Sequence, residues 1–340
     1  MNKNILILGY GAVGKATVSH LLEKGYSVTV AQRKVPKDLP EGVQFKPCDV
    51  LNGASVHDCF VGFDQLVIAI GFEYTVKAWQ KQWPTAMHNI VKASVKNGLR
   101  VVFVDNLYMY GPQTGVLHEE LNLTDIQGKP AVRAEITRIW QNAVHTNGLR
   151  FTSLRAPDFF GPQVLLSQFG DFVFGNLAKG KTAQFLVPID QPHDFAYVPD
   201  IARAVENLLN ASDNDFGQVW HMPCAPTVTT RELLEIGAKS LGVSPKVFSF
   251  PLWGLRLLGL FFPLAKELWD MRFQWDRPYQ VNSEKFTNRF LFNPTLGGGG
   301  RDAGRGVNQC LSLKCRREKN KGIANISPVA ELSSTLPQTP

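Results

Sequence analysis

The sequence predicts an α/β fold: a doubly wound parallel sheet followed by a smaller C-terminal part. Three observations predict it. A short apolar run, Asn4-Ile5-Leu6-Ile7-Leu8, passes through a glycine turn into an amphipathic stretch. Further strand-like runs then alternate with helical stretches up to Leu154. Beyond Pro162 the pattern changes to shorter elements interleaved with Gly and Pro. Strands separated by helices form parallel sheets with right-handed crossovers, and such sheets bind ligands at the carboxyl ends of their strands. At 340 residues the chain is long enough for one large domain or two smaller ones.

The first strand is unbroken in its apolar character, as expected for a strand covered on both faces. Gly9-Tyr10-Gly11-Ala12-Val13-Gly14 follows, and then Lys15 to Lys24 with Ala16, Val18, Leu21 and Leu22 on one side. Strand, glycine turn and helix in this order are the context in which a GxGxxG spacing acquires meaning. Gly9 permits a tight turn, Gly11 lets the backbone approach a pyrophosphate, and Gly14 lets the helix pack close to the strand. The helix start at Ala12 and Val13 offers free N–H groups and a positive dipole end to phosphates. An unliganded turn is the alternative; the flanks favour a dinucleotide site.

The second strand, Ser27 to Ala31, ends in Gln32-Arg33-Lys34. An acid on the ribose hydroxyls would be expected about twenty residues past the glycine turn, and none is there. Arg33 and Lys34 suit a 2′-phosphate through charge-assisted bonds, so NADP(H) is favoured over NAD(H). Val43 to Val50 is a third strand, with Asp49 and Val50 placed to meet an adenine edge. Gln65 to Gly71 is a fourth, and Ala69, Ile70 and Gly71 leave room for a nicotinamide ribose. A helical region, Lys77 to Asn97, carries Trp79 and Trp83 as expected core and is interrupted by Pro84. Strand Arg100 to Val104, helix Ala131 to Thr146 and strand Arg150 to Leu154 close the alternation.

Composition excludes several classes. The net charge is +7, but the segment from Thr295 carries seven Lys/Arg against three Asp/Glu, so the body is close to neutral and no nucleic-acid partner is expected. Five cysteines form no CxxC and no zinc spacing, so no metal site is expected. The first apolar run is too short for a signal peptide, which makes the expected location cytoplasmic. Phe248 to Met271 is rich in Leu, Phe and Trp but broken by Pro251, Arg256 and Pro263. It is no membrane span. It reads as a cap over an apolar pocket or as the contact of a homodimer, with membrane-surface association a lesser alternative. Val164 to Lys179 and Ile201 to Leu209 read as helices, Gln218 to Met222 as a strand, and Thr229-Thr230-Arg231-Glu232 as a capped helix start.

Several of these pieces together resemble an extended short-chain dehydrogenase/reductase of the NAD-dependent epimerase/dehydratase type. They are the glycine turn, Asp49-Val50, Tyr110-Gly111, Leu154-Arg155-Ala156-Pro157, Phe160-Gly161-Pro162 and the run from His193 to Ala202. The resemblance spans residues 4 to 294. It implies a Rossmann domain over 1–163, with Ala156 and Pro157 beside the cofactor, and a substrate-binding part over 164–294 interleaved with it. Residues 295–340 read as a disordered basic tail with no apolar period, an aberrant terminus being the other reading. Members of the family carry a Ser or Thr after the fifth strand and a Tyr-x-x-x-Lys on the next helix. Here those positions fall on Asn106, Lys129 and Arg133, so the motif Tyr is absent. Tyr108, two residues beyond Asn106, is the candidate replacement, paired with Lys129 and Arg133.

Two functional readings follow. The first is an NAD(P)-dependent oxidoreductase or epimerase, NADP(H) favoured, acting on a small or nucleotide-sugar-like carbonyl or alcohol. The second is a non-catalytic NADP(H)-binding sensor of the NmrA-like kind, which the missing Tyr favours.

Overall fold

The computed structural model describes residues 3–164, 173, 176–177, 180–240 and 242–295. Six strands and four α-helices open the chain. They are β1 (Ile5–Leu8), α1 (Ala12–Glu23), β2 (Val28–Gln32), β3 (Gln44–Pro47), α2 (Gly53–Phe60), β4 (Gln65–Ile68), α3 (Val76–Asn97), β5 (Arg100–Asp105), α4 (Lys129–Asn147) and β6 (Arg150–Arg155). Smaller elements follow: β7 (Asp158–Phe160), β8 (Ala183–Phe185), β9 (Pro192–His193), β10 (Phe195–Tyr197), α5 (Val198–Leu209) and β11 (Val219–His221). Then come β12 (Val228–Thr229), α6 (Thr230–Ser240), β13 (Val247–Ser249), α7 (Leu252–Leu258), α8 (Pro263–Asp270) and α9 (Glu284–Phe290).

The central sheet has seven strands in the order β11-β6-β5-β4-β1-β2-β3, each pair parallel. β1 is buried along its whole length and shows why a strand between two helical layers must be apolar throughout. Leu6 and Leu8 join the layer built by α2, α3 and α4, while Ile5 and Ile7 join the layer built by α1 and α5. The strand order reverses between β1 and β4, which opens a crevice at their carboxyl ends.

Two features differ from the sequence reading. Pro84 does not interrupt α3, which runs unbroken from Val76 to the left-handed Gly98; Trp79, Trp83, Met87 and Ile90 anchor it on both sides of the proline. Packing thus outweighs the lost backbone bond. The second is α9, a short helix not expected before the end of the body. Its Arg289 grips Asp215 bidentately at 2.7 and 2.8 Å, and its Phe286 is buried against Trp220.

α5 and β11 lie beyond residue 163 in sequence but complete the central sandwich. The elements of the smaller part are local pairs: β7 with β10, β9 with β12, and β8 with β13. α6 opens with the expected cap, Thr229 Oγ1 accepting from Glu232 N while Glu232 accepts from Thr229 N. Most of the helix expected over Val164 to Lys179, and the tail beyond Thr295, lie outside the described residues. Among the described residues no helix is long and apolar enough to cross a membrane.

Candidate functional site

The glycine turn sits at the carboxyl end of β1, at the reversal of strand order. Gly9 has φ +101°, and a Cβ there would stand 2.6 Å from the Ala69 carbonyl oxygen. A Cβ on Gly14 would stand 2.2 Å from the Gly9 carbonyl oxygen. Both positions are closed to any side chain. Gly11 differs: a Cβ there would meet nothing within 4 Å, so its backbone faces open space. Gly11 is also the N-cap of α1, with no side-chain cap and no acid in the first turn. The free N–H groups at Ala12 and Val13 therefore face that opening. Room, exposed donors and positive potential fit a dinucleotide pyrophosphate.

The flanks hold the other cofactor candidates. Gln32 ends β2 and folds its amide back onto the Lys34 carbonyl at 2.7 Å. Arg33 and Lys34 are exposed. Lys15 pairs with Asp38 at 2.6 Å beside the Tyr10 ring. Asp49 closes a turn by accepting from Leu51 N at 3.0 Å, and Asn89 holds the Val50 carbonyl. Ala69 and Ile70 are half-buried beside Gly9, Gly71 is exposed, and Ala156 and Pro157 are buried where β6 ends. Ala156 is tied across to the fifth strand by its N–H to the Asp105 carbonyl at 3.0 Å.

At the end of β5 lies a buried polar centre. Arg133 donates to Asp105 at 2.7 Å, and its guanidinium sits 4.6 Å and 4.0 Å from the ring centres of Trp79 and Trp83. Burial pushes the Asp105 carboxyl up, and Arg133 opposes that. Lys129, one turn earlier, is buried in an ion pair with Glu267 of α8 and lies 4.0 Å over the Tyr74 ring. The Glu267 carboxylate also accepts from Val76 N at 2.9 Å, so it bolts the starts of α3 and α4 to α8. Both cations at the motif positions are thus engaged. Asn106 caps the turn after β5, its Oδ1 accepting from Tyr108 N at 3.0 Å.

Tyr108 stacks on Trp79 and lies within hydrogen-bonding reach of the Tyr74 hydroxyl and the Gln274 amide. Burial, and then the nearby Asp158 carboxylate, hold its hydroxyl well above the usual tyrosine range. At neutral pH Tyr108 is a protonated hydroxyl, a hydrogen-bond donor rather than a base. Tyr110 is buried and packs edge-on against His221. Its hydroxyl also accepts from Arg155 at 2.6 Å and donates to His221 Nε2 at 2.8 Å. His221 Nδ1 donates to the Asn282 carbonyl at 3.1 Å.

The structure also assembles residues that the sequence reading did not single out. Asp158 begins β7 immediately after Pro157, and its side chain is half-buried. His193, fully buried, stands opposite with Nε2 3.4 Å from Asp158 Oδ2. Its Nδ1 is 3.1 Å from the Gln274 carbonyl, which fixes Nδ1–H as a donor and leaves Nε2 as an acceptor. Two acceptors facing each other repel unless a proton lies between them. The Tyr279 hydroxyl and the Gln274 side-chain oxygen are buried nearby without a partner among the described residues. His193 opens the run to Ala202 and Asp158 directly follows Pro157; only their meeting across β7 and β9 reveals the pair. Among the described residues no group of three or more His, Cys, Asp or Glu could hold a metal.

No curated protein matches the sequence. Solved structures match over nearly the whole chain at low identity. UDP-N-acetylglucosamine 4-epimerase from Bacillus cereus is 12% identical with a TM-score of 0.71, covering 96% of this chain and 99% of its own. The dTDP-glucose 4,6-dehydratase DesIV from Streptomyces venezuelae, with NAD bound, is 18% identical with a TM-score of 0.73, covering 94% and 100%. UDP-glucose 4-epimerase from Thermus thermophilus, in complex with NAD, is 18% identical with a TM-score of 0.68, covering 91% and 99%. These likenesses establish the Rossmann-type fold. The model of the NAD dependent epimerase/dehydratase family matches residues 5–221, well over half of the chain, and the chain belongs to that family of enzymes.

Proposed function

We propose that this protein is an NADP(H)-dependent oxidoreductase or epimerase acting on the carbonyl or alcohol of a nucleotide-sugar-like substrate. The observation that carries the reading is the Asp158–His193 pair, 3.4 Å apart, directly after the Ala156-Pro157 end of β6. When bound, the nicotinamide supplies hydride exchange at the carbon bearing the substrate oxygen. The glycine turn and the N–H groups of Ala12 and Val13 hold the pyrophosphate. Asp49 and Val50 border the adenine, and Ala69 to Gly71 the nicotinamide ribose. Exposed Arg33 and Lys34, with no acid at the end of β2, support a 2′-phosphate.

Asp158 takes the hydroxyl proton as an alcohol becomes a carbonyl, and returns it in the reverse direction, with His193 Nε2 accepting a hydrogen bond from the protonated carboxyl. Tyr108 donates a hydrogen bond to the substrate oxygen, and Asn106 lines the same wall. Arg133 holds the site's floor through Asp105, and Lys129 holds its edge through Glu267. A soluble homodimer in the cytoplasm is compatible with this reading.

One observation supports the sensor reading: both cations at the motif positions are consumed in ion pairs. A fluorescence titration with NADPH and NADH, followed by a turnover screen on UDP- and dTDP-sugars, separates the two. The enzyme reading expects NADPH to bind at least ~10-fold tighter, about 1.4 kcal/mol, and Arg33→Ala to erase the difference. It also expects Asp158→Asn to abolish turnover while leaving NADPH binding intact. Equal binding of NADH removes the 2′-phosphate assignment. Binding without turnover on any sugar nucleotide supports the sensor, and no binding of either dinucleotide ends both readings.

A further inference from the structure

The hairpin of α7 and α8 is apolar on both of its faces. Leu255 and Ala265 are buried inward, in a cluster with Met271 and Trp275. Outward, Trp253 is 70% exposed, Leu257 56%, Leu260 74% and Phe261 79%. Leu260 and Phe261 are consecutive and sit in the turn between the helices, where they project as a wedge that also walls one side of a cavity of about 700 Å³ shared with Ile126, Gly128 and Lys266. An apolar face this concentrated marks an interaction surface.

Its charges point to the partner. From Phe250 to Leu264 the only charged residue is Arg256. The rim behind the wedge holds Lys266 and Arg272, with Arg256 and Arg272 folded over the Trp269 ring at 5.7 and 4.4 Å. Glu267 is neutralised by Lys129, which leaves Asp270 as the rim's free acid beside three cations, Arg272 also touching Asp276 at 4.0 Å. An aromatic and aliphatic tip under a basic collar is the pattern of a segment that enters the headgroup and acyl boundary without spanning it. A fluid bilayer accommodates a protruding wedge, and anionic headgroups complement the collar.

We propose that the tip formed by Trp253, Leu257, Leu260 and Phe261 docks this protein reversibly on an anionic phospholipid bilayer. The test is co-sedimentation of the full chain with phosphatidylcholine vesicles, with and without phosphatidylglycerol. Wild type should pellet with the anionic vesicles and far less with neutral ones. Its tryptophan emission should shift to the blue on binding, and Trp253→Phe should remove most of that shift. The double variant Leu260→Asp/Phe261→Asp should lose at least ~10-fold in vesicle affinity while melting at the wild-type temperature. Failure of wild type to pellet with anionic vesicles overturns the proposal. So does unchanged pelleting of the double variant, which would put binding in the basic C-terminal segment. A wild-type dimer that the double variant converts to monomer would assign the tip to a second copy instead.

Discussion

At the scale of single residues, the site is governed by which charges are buried and what answers them. The planar guanidinium of Arg133 lies against the rings of Trp79 and Trp83 while bonding Asp105. An ammonium group could not fill that slot in the same way. His221 is the clearest reporter of burial. Loss of solvation, and then the Arg155 cation, pull its pKa down to about 3 from 6.5. The native state therefore keeps His221 neutral while the unfolded chain protonates it below pH 6.5. Stability should be independent of this group above that pH. Below it, stability should fall by about 1.4 kcal/mol per pH unit toward pH 3. Urea unfolding between pH 7 and 4 measures the slope, and His221→Gln should flatten this contribution. A wild-type slope that the substitution leaves unchanged would mean that His221 is not the group responsible.

At the scale of elements, α1 separates folding from binding within one turn. Gly14 is needed because its Cβ would collide with the Gly9 carbonyl at 2.2 Å, whereas Gly11 faces open space. Gly14→Ala should cost about 1–3 kcal/mol of stability through overpacking. Gly11→Val should leave the melting temperature near that of wild type and still weaken NADPH binding at least ~10-fold, since the added side chain occupies the pyrophosphate's approach. Thermal melts and fluorescence titrations of both variants check this. Equal loss of stability in the two would mean that the turn serves packing alone.

At the scale of the whole molecule, the smaller part is fastened to the sheet by a shared buried cluster and by polar bonds, and the Glu267 carboxylate is one of these. It meets Lys129 of α4 and the Val76 N–H of α3 from the middle of α8. Glu267→Gln keeps an acceptor for Val76 but leaves Lys129 buried without a counter-charge, a change of about 3–5 kcal/mol when such a pair is broken. Hydrogen exchange should accelerate across residues 252–270 while β1, β4 and β5 stay protected. Uniform acceleration across the sheet would show that the hairpin unfolds only with the whole protein.

The limits of sequence reading follow from range. The order of β1, the glycine turn and α1 was legible because each rests on neighbours within a few residues: an apolar run, a spacing of glycines, an amphipathic period. The resemblance carried by Leu154 to Pro157 and the run from His193 located the family for the same reason. Other features depend on which distant segments meet. Periodicity gave no hint that Pro84 lies inside an unbroken helix, that Tyr110 bonds Arg155 and His221, or that Asp158 faces His193 across β7 and β9. The sequence by itself determined the strand–turn–helix frame and the chemistry available at its edge. Only the tertiary structure decided how that chemistry is paired, because burial turns a charge from a solvated surface group into one that must find its partner.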